Sequence, residues 1–518
     1  MLTFNTEMKK KYIIYITILF FMCLGCKEEI KPEIKSNSKL NVLFIIADDL
    51  NCALGSYGNE VVKTPNIDQL AENGVLFENA HNQCPLCGPS RASFMSGMYT
   101  DQTKIYENDI FLRSAIPDVI TLGQRFRQQN YQSVRIGKIF HYNNPSSIGT
   151  SGHDDMYSWD QTINPYGRDK KEEYKINTLV PRSYGGTLSW LAADGDDEEQ
   201  TDGIGASKAI EILDGFAKSG ENFFLAVGMY RPHTPYVAPK KYFDLYHRDS
   251  IKIPESDEQY LASLPLPAAK SIRAKKNQID LDKELAKEIK EAYYATTSFV
   301  DAQVGRILEK LKSSGLAKNT LVIFTSDHGY HLGEHGHWQK QTLFEDATRI
   351  PLIFSGPGIK KGIKISSAPV ELIDIYPTIM DFTAIKTPEH VVGKSLRVII
   401  DDSSKLVRNS ALTKWRNGYS MKTERYRITK WGKEGELGYE LYDHNFDKNE
   451  MNNLSNDTNY SVILDSLKKT INLRIIDAKK KPKGIGRQFE GVERTNKAPN
   501  ITYGDFHRND GKRSILKN

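Results

Sequence analysis

Cysteine is scarce in this chain: five occur among 518 residues, at positions 23, 26, 52, 84 and 87. So few thiols in so long a chain exclude a disulfide-stapled scaffold. Charge of one sign is also lacking. Seventy basic residues face 65 acidic ones for a net charge of +5, which gives no argument for a nucleic-acid partner, although local basic clusters could still hold an anionic substrate. No internal repeat is found. Hydrophobic residues at 39% and aromatics at 10% exclude a disordered or fibrous protein. The length accommodates one large domain and a smaller one.

Apolar runs are short. The most conspicuous, Tyr12 to Leu24, follows Lys9, Lys10 and Lys11 and is too short to cross a bilayer comfortably, so it reads as the core of an export signal. Met8 directly precedes the lysines, which leaves Met1 and Met8 both open as the start. The ending Leu24-Gly25-Cys26 resembles a bacterial lipobox, with Cys23 standing where leucine is usual. It predicts a lipoprotein signal over 1–26, lipid on Cys26, and a cell-envelope location, in the periplasm or at the outer membrane. A plain secretory signal cut elsewhere is the alternative. Residues 27–39 are rich in Lys, Glu, Ser and Asn and read as a tether.

From there the pattern is α/β. Asn41 to Ala47 is a continuous apolar run, as expected for a buried parallel strand, and ends in Asp48-Asp49. Pro65 to Asn73 has helical spacing with Gly74 as its cap. Ser133–Ile139, Phe223–Val227 and Leu321–Thr325 are further strands, and 281–313 carries the clearest amphipathic helix. Ser146 to Thr201, rich in Gly, Asp, Ser and Tyr, reads as long surface loops. Alternating strands and helices predict a large, mostly parallel mixed sheet sandwiched by helices over 40–402. Such a sheet carries its functional groups at the carboxyl ends of its strands. Short alternating strands over 418–442 and a helix over 460–478 predict a smaller α+β domain over 403–518, closed by a basic tail that is extended or disordered.

Chemistry concentrates in Cys87-Gly88-Pro89-Ser90-Arg91. Read alone, it is a Pro-initiated helical turn with an ordinary thiol. It resembles the Cys-x-Pro-Ser-Arg maturation motif of type I sulfatases, alkaline phosphatase-like enzymes in which this cysteine is oxidised to formylglycine. The hydrated aldehyde is a geminal diol: one hydroxyl attacks sulfur and the other later collapses the adduct and expels sulfate. Arg91, permanently charged and fork-shaped, suits stabilisation of the diol and nearby anions. Asp48, Asp49, Asp327 and His328 end two apolar strands. Paired aspartates in such places are as often loop or helix caps as ligands, but the resemblance makes these four, with residue 87, the site of one divalent cation, Ca²⁺ in preference to Mg²⁺.

The likeness extends further. Gly137-Lys138-Ile139-Phe140-His141 resembles the family's second signature, which implies that Lys138 and His141 contact the diol and sulfate. Arg231-Pro232-His233-Thr234-Pro235 resembles the segment that supplies a sulfate-contacting histidine, and Trp338-Gln339-Lys340 the site of a sulfate-binding lysine. Singly, each would read as a solvated lysine or a satisfied histidine. Iduronate-2-sulfatases and their bacterial homologues are the most similar group, through TPNIDQLAENGVLFENA (64–80), SDHGYHLGEHGHWQK (326–340), GYSMKTERYRITKW (418–431) and ELYDHNFDKNEMNNL (440–454). His328 marks this group. Cys84 and Asn130 depart from its pattern without touching a proposed catalytic group.

The resemblance implies a sulfuric ester hydrolase acting on a sulfated oligo- or polysaccharide, matured by a formylglycine-generating enzyme, with membrane contact only through a lipid. His233 is the candidate general acid, Lys138 and Lys340 hold sulfate oxygens, and His141 assists collapse of the adduct. A phosphonate or phosphate monoester hydrolase is the alternative enzyme, and an inactive glycan-binding homologue the alternative class. For export, radiolabelled palmitate is expected to enter the wild type and not Cys26→Ser. Label in neither, with export intact, would leave an ordinary cleaved signal.

Overall fold

A computed structural model describes residues 39–255 and 258–494. The signal, Cys26, most of the tether, and the tail from residue 495 lie outside the described residues. The described residues from Leu40 onward belong to one compact unit.

The unit is built on an eight-stranded sheet. Its strands, in chain order, are β1 (Asn41–Asp48), β2 (Gly74–Phe77), β3 (Gln132–Gly137), β4 (Gln161–Ile163), β5 (Phe223–Pro232), β6 (Thr320–Ser326), β7 (Leu352–Ser355) and β8 (Ile363–Ile365). They lie in the order β8-β2-β7-β6-β1-β5-β3-β4. Only β7 runs against its neighbours; β1 pairs in parallel with both β6 and β5. The uninterrupted apolar character of β1 follows from its central place, because side chains on both faces are buried. Val42, Phe44 and Ile46 enter one core, and Leu43, Ile45 and Ala47 the other. Helices cover both faces. α1 (Cys87–Ser96) and α2 (Ile375–Phe382) pack on the first; the second is covered by Pro65–Glu72, Thr201–Ser219 and the long Lys283–Ser313.

Two expectations differ from the structure. Asn73, not Gly74, caps the helix after residue 65; Gly74 opens β2, where a Cβ would lie 2.2 Å from the Phe354 carbonyl oxygen. Residues 146–201 are not simply surface loops. They supply β4 at the sheet edge, and Ser189–Ala193 pairs with both Asn177–Thr178 and Tyr236–Pro239 in a small second sheet. Their polar composition misleads because Arg231 engages Asp169 at 2.6 Å, a buried pair that needs acidic sequence in the interior.

Toward the C-terminus, strands Ala411–Trp415, Gly418–Lys422, Tyr426–Trp431 and Tyr439–Asp443 form an antiparallel sheet, backed by the helix Ser461–Lys479. The first of these strands is tied to the rest of the unit: Lys414 N–H donates to the Gln83 carbonyl at 2.9 Å, and Leu412 N–H to Glu371 Oε1 at 2.8 Å. After the helix the chain runs extended, with Phe489 N–H bonded to the Ala115 carbonyl at 2.8 Å.

What the sheet positions is its carboxyl edge, where β1, β5 and β6 deliver Asp48, Arg231-Pro232 and Ser326-Asp327. The β1–β5 register shifts between Ala47 and Asp48, a bulge of the kind that re-aims a side chain at a site. Beside it β3 and β5 approach so closely that only glycine fits. A Cβ on Gly137 (φ +67°) would meet the Gly228 carbonyl oxygen at 2.1 Å, and one on Gly228 would meet the Lys138 carbonyl oxygen at 1.9 Å. That contact sets the place of Lys138.

Candidate active site

Cys87 is the first residue of α1, with Leu86 in extended conformation before it. The thiol is buried, with Lys340 Nζ at 3.1 Å, His328 Nε2 at 3.2 Å and Asp49 Oδ1 at 3.8 Å. One turn along the helix, Arg91 is fully buried. Its guanidinium donates to Asp327 Oδ2 and Asp48 Oδ1, each at 2.9 Å, and to the carbonyls of Lys138 and Ile139 at 2.7 and 2.9 Å. Ser90 Oγ donates to the Asp327 carbonyl at 2.5 Å. The helix is thereby bound to the ends of β1, β3 and β6 together.

All ten residues singled out in the sequence converge here. Lys138 Nζ lies 2.5 Å from Asp48 Oδ2, and Lys340 Nζ 2.5 Å from Asp49 Oδ1. The donor atoms of Asp48, Asp49, Cys87 and His233 lie within 4.8 Å of one another, as do those of Cys87, Asp327 and His328. His328 Nδ1 meets its neighbour's carbonyl, Gly329 O, at 2.9 Å, so in the neutral ring Nε2 is the free lone pair. That Nε2 faces Asp49 Oδ1 at 3.3 Å and Asp327 Oδ2 at 3.5 Å. His233 is oriented likewise: Nδ1 meets the Thr234 carbonyl at 2.6 Å, and Nε2 lies 3.7 Å from Asp49 Oδ2. His141 Nε2 contacts Asn143 Oδ1 at 3.2 Å, and its buried Nδ1 has no partner.

The electrostatics show a centre that attracts positive charge. Burial alone would raise Asp48, but Lys138 first, then Arg91 and Lys340, hold it well below the usual carboxylate range. Burial, opposed by Lys340 and reinforced by Cys87 and Asp48, pushes Asp49 up to about 7. Burial disfavours a charged His328, yet Asp327 and Cys87 outweigh it and raise the ring to about 9. A proton on His328 Nε2 thus serves the carboxylates at the point where a cation would. Buried hard oxygens beside one free imidazole nitrogen fit a divalent ion. His233 and His141 go the other way: burial first, then Lys340 for His233 and Lys138 for His141, keep both rings neutral, His141 falling to about 3.

Above these groups opens a cavity of about 560 Å³, walled by His141, His233, Lys340, Asn108, Arg182 and Lys275 among others. The last three were not found from the sequence, because they stand in no motif. Lys275, at the cavity wall, is lowered to about 8 by burial and by Lys340. Gln339 and Gln341, which flank Lys340, both have left-handed φ near +76° and +77°. Such backbone is costly for non-glycine residues and is retained where neighbours over-determine it, commonly at functional sites.

A family model described as Sulfatase matches residues 40–385. The chain belongs to the sulfatase family. This sulfatase also matches, over 333–477, the model described as N-sulphoglucosamine sulphohydrolase, C-terminal. A sulfatase of Formosa agariphila is 35% identical over 474 residues, 88% of this chain and 90% of that one. Iduronate 2-sulfatase of Homo sapiens is 32% identical over 422 residues, 74% of this chain and 75% of that one. Among solved structures, the phosphonate monoester hydrolase of Silicibacter pomeroyi superposes with a TM-score of 0.71 at 21% identity, covering 85% of this chain and 96% of that one. That likeness speaks for the shared fold. The chain is a sulfuric ester hydrolase with a mostly parallel α/β sandwich of the alkaline phosphatase-like kind.

Arg91 holds two carboxylates and two carbonyls through a planar fork that an ammonium cannot reproduce. Arg91→Ala is expected to cost about 3–5 kcal/mol, as when one member of a buried ion pair is removed, with Arg91→Lys recovering only part. A wild-type urea midpoint for Arg91→Ala would refute this role.

Proposed function

We propose that this sulfatase removes sulfate from a sulfated sugar, with Cys87 converted to formylglycine by a maturation enzyme. We further propose one Ca²⁺, with Mg²⁺ less suited, held by Asp48, Asp49, Asp327, His328 and the modified residue. The observation that carries the reading is the position of Cys87 Sγ, between Lys340 Nζ and His328 Nε2, next to a polar cavity whose wall includes Lys340 and the preceding Leu86. Sγ stands in for the oxygen of the mature residue. When bound, the cation would withdraw charge from the sulfate oxygens, and the hydrated aldehyde would supply the attacking oxygen.

The chain's own residues then have separable tasks. Arg91 fixes the two strand-end aspartates and so the place of the cation. Lys340 and Lys138 are the cations nearest the reacting centre, suited to hold sulfate oxygens once a divalent ion takes over Asp48 and Asp49. His141, neutral and with an unpartnered Nδ1, is placed to accept a proton during collapse. His233 is the candidate acid for the departing sugar oxygen. It is neutral in the site as it stands; the negative charge of a bound sulfate ester favours its protonation.

Three carboxylates are matched by Arg91, Lys138 and Lys340, so one divalent ion leaves two positive charges in excess. Two charges balance one ionised hydroxyl of the hydrated aldehyde together with the single charge of a sulfate monoester, and fall one short for the double charge of a phosphate one. The phosphate or phosphonate alternative rests on fold alone, and the inactive binding homologue would require loss of a nucleophile or ligand that is present. Similarity to iduronate 2-sulfatase supports a 2-sulfated uronic acid or similar sugar at a chain end, from an algal polysaccharide such as ulvan or a glycosaminoglycan. Export with a lipid on Cys26 remains part of the proposal and fits polysaccharide breakdown at the cell envelope.

Mass spectrometry of the tryptic peptide containing residue 87 is expected to show conversion of thiol to aldehyde, and Cys87→Ala to abolish turnover. Full activity from unmodified Cys87 would end the mechanism. The acid is tested with two leaving groups. His233→Ala should depress cleavage of a sugar sulfate by roughly 10²–10⁴-fold, the usual worth of general acid catalysis, and that of nitrophenyl sulfate far less, since a nitrophenolate departs unaided. Equal losses would mean that His233 only binds sulfate.

A further inference from the structure

Beside a separate cavity, a second group of ligand-type side chains has no part in the chemistry above. His331, Glu334 and Asp346 place one donor atom each within 4.8 Å of the others. His331 is fully buried, and its Nδ1 has no hydrogen-bond partner. It faces Asp346 Oδ2 at 3.8 Å, while the opposite ring nitrogen, Nε2, is 2.7 Å from the Thr342 hydroxyl. His335 repeats the arrangement from the other side. Its Nε2 lies 3.8 Å from the same Asp346 oxygen, and its Nδ1 is 2.5 Å from the Tyr260 hydroxyl.

We propose that His331, His335, Glu334 and Asp346 form a second, structural cation site that takes a zinc-type divalent ion. Two imidazoles with carboxylates are a nitrogen–oxygen set that favours such an ion over Ca²⁺. In each ring a hydroxyl on the far nitrogen fixes orientation and leaves the near nitrogen for the metal, the outer support that metal-binding histidines need. Donors about 3.4 Å apart surround a tetrahedral ion with bonds of about 2.1 Å, so the two 3.8 Å histidine–Asp346 spacings need small closure, and Glu334, whose donor lies within 4.8 Å of those of His331 and Asp346, moves further. Entry is provided by an adjoining cavity of about 280 Å³, onto which Glu334 and Asp346 open. Lys290 Nζ, 4.0 Å from Glu334 Oε1, is the nearby cation the ion would have to tolerate.

The site has a structural purpose. His331-Leu332 pairs antiparallel with Trp338-Gln339, and Lys340 follows directly. An ion bridging His331 and Asp346 fastens the base of this hairpin to the turn of helix Glu345–Thr348, and so braces the segment that carries Lys340. The inference does not depend on the sulfatase chemistry.

The test uses the full chain, kept in excess Ca²⁺ to fill any hard-oxygen site, equilibrated with Zn²⁺ and then freed of unbound metal. Elemental analysis is expected to find one zinc per chain in the wild type and almost none in His331→Ala or in Asp346→Asn, whose smaller, less buried change keeps the test open if the first fails to fold. Co²⁺ in place of zinc should give visible ligand-field absorption in the wild type that both variants lose. Wild-type protein without retained zinc, or variants that retain as much as the wild type, would overturn the site.

Discussion

The bidentate reach of Arg91 between Asp48 and Asp327 is the constraint on which the site depends. These aspartates end two adjacent parallel strands, and without a cation between them their charges would repel in a buried setting. A surface ion pair contributes little to stability, and a buried one is weak evidence of net stabilisation. What Arg91 supplies is geometry. Because its guanidinium also takes the carbonyls of Lys138 and Ile139, the ends of three strands and the helix carrying Cys87 share one rigid reference point. Breaking it would displace the nucleophile position, the cation ligands and Lys138 together.

The legible parts of the molecule were those governed by short-range signals. β1 could be read from NVLFIIAD because a strand buried on both faces needs no polar residue until its end, and the end is where the aspartates stand. The helix over 283–313 was legible from its 3.6-residue period. The ten residues that cluster at the strand ends could be singled out because each lies in a local motif, and the resemblance to a family supplied their expected roles. Residues 146–201 were not legible in the same way. Their polar composition describes a solvated loop, but Asp169 is buried against Arg231, a partner 62 positions away. Asn108, Arg182 and Lys275 reach the cavity through tertiary packing alone. Neither periodicity nor motif reports such placement, so the strand-end cluster was visible in the sequence and the rest of the cavity wall was not.

Charge balance governs that cluster. Each lysine at the reacting centre rests on an aspartate, Lys138 on Asp48 and Lys340 on Asp49, and burial makes such pairs expensive to separate unless another charge replaces the partner. A divalent ion held by the carboxylates would be that replacement. It would release both ammonium groups toward a sulfate at the same step that draws the proton from His328. Cation binding and anion binding would then be thermodynamically coupled, each strengthening the other by the same factor. On this view the left-handed backbone at Gln339 and Gln341 has a reason. A lysine that must serve Asp49 before the ion arrives and a sulfate afterwards can shift only its side chain, so the main chain beneath it has to be held from both sides.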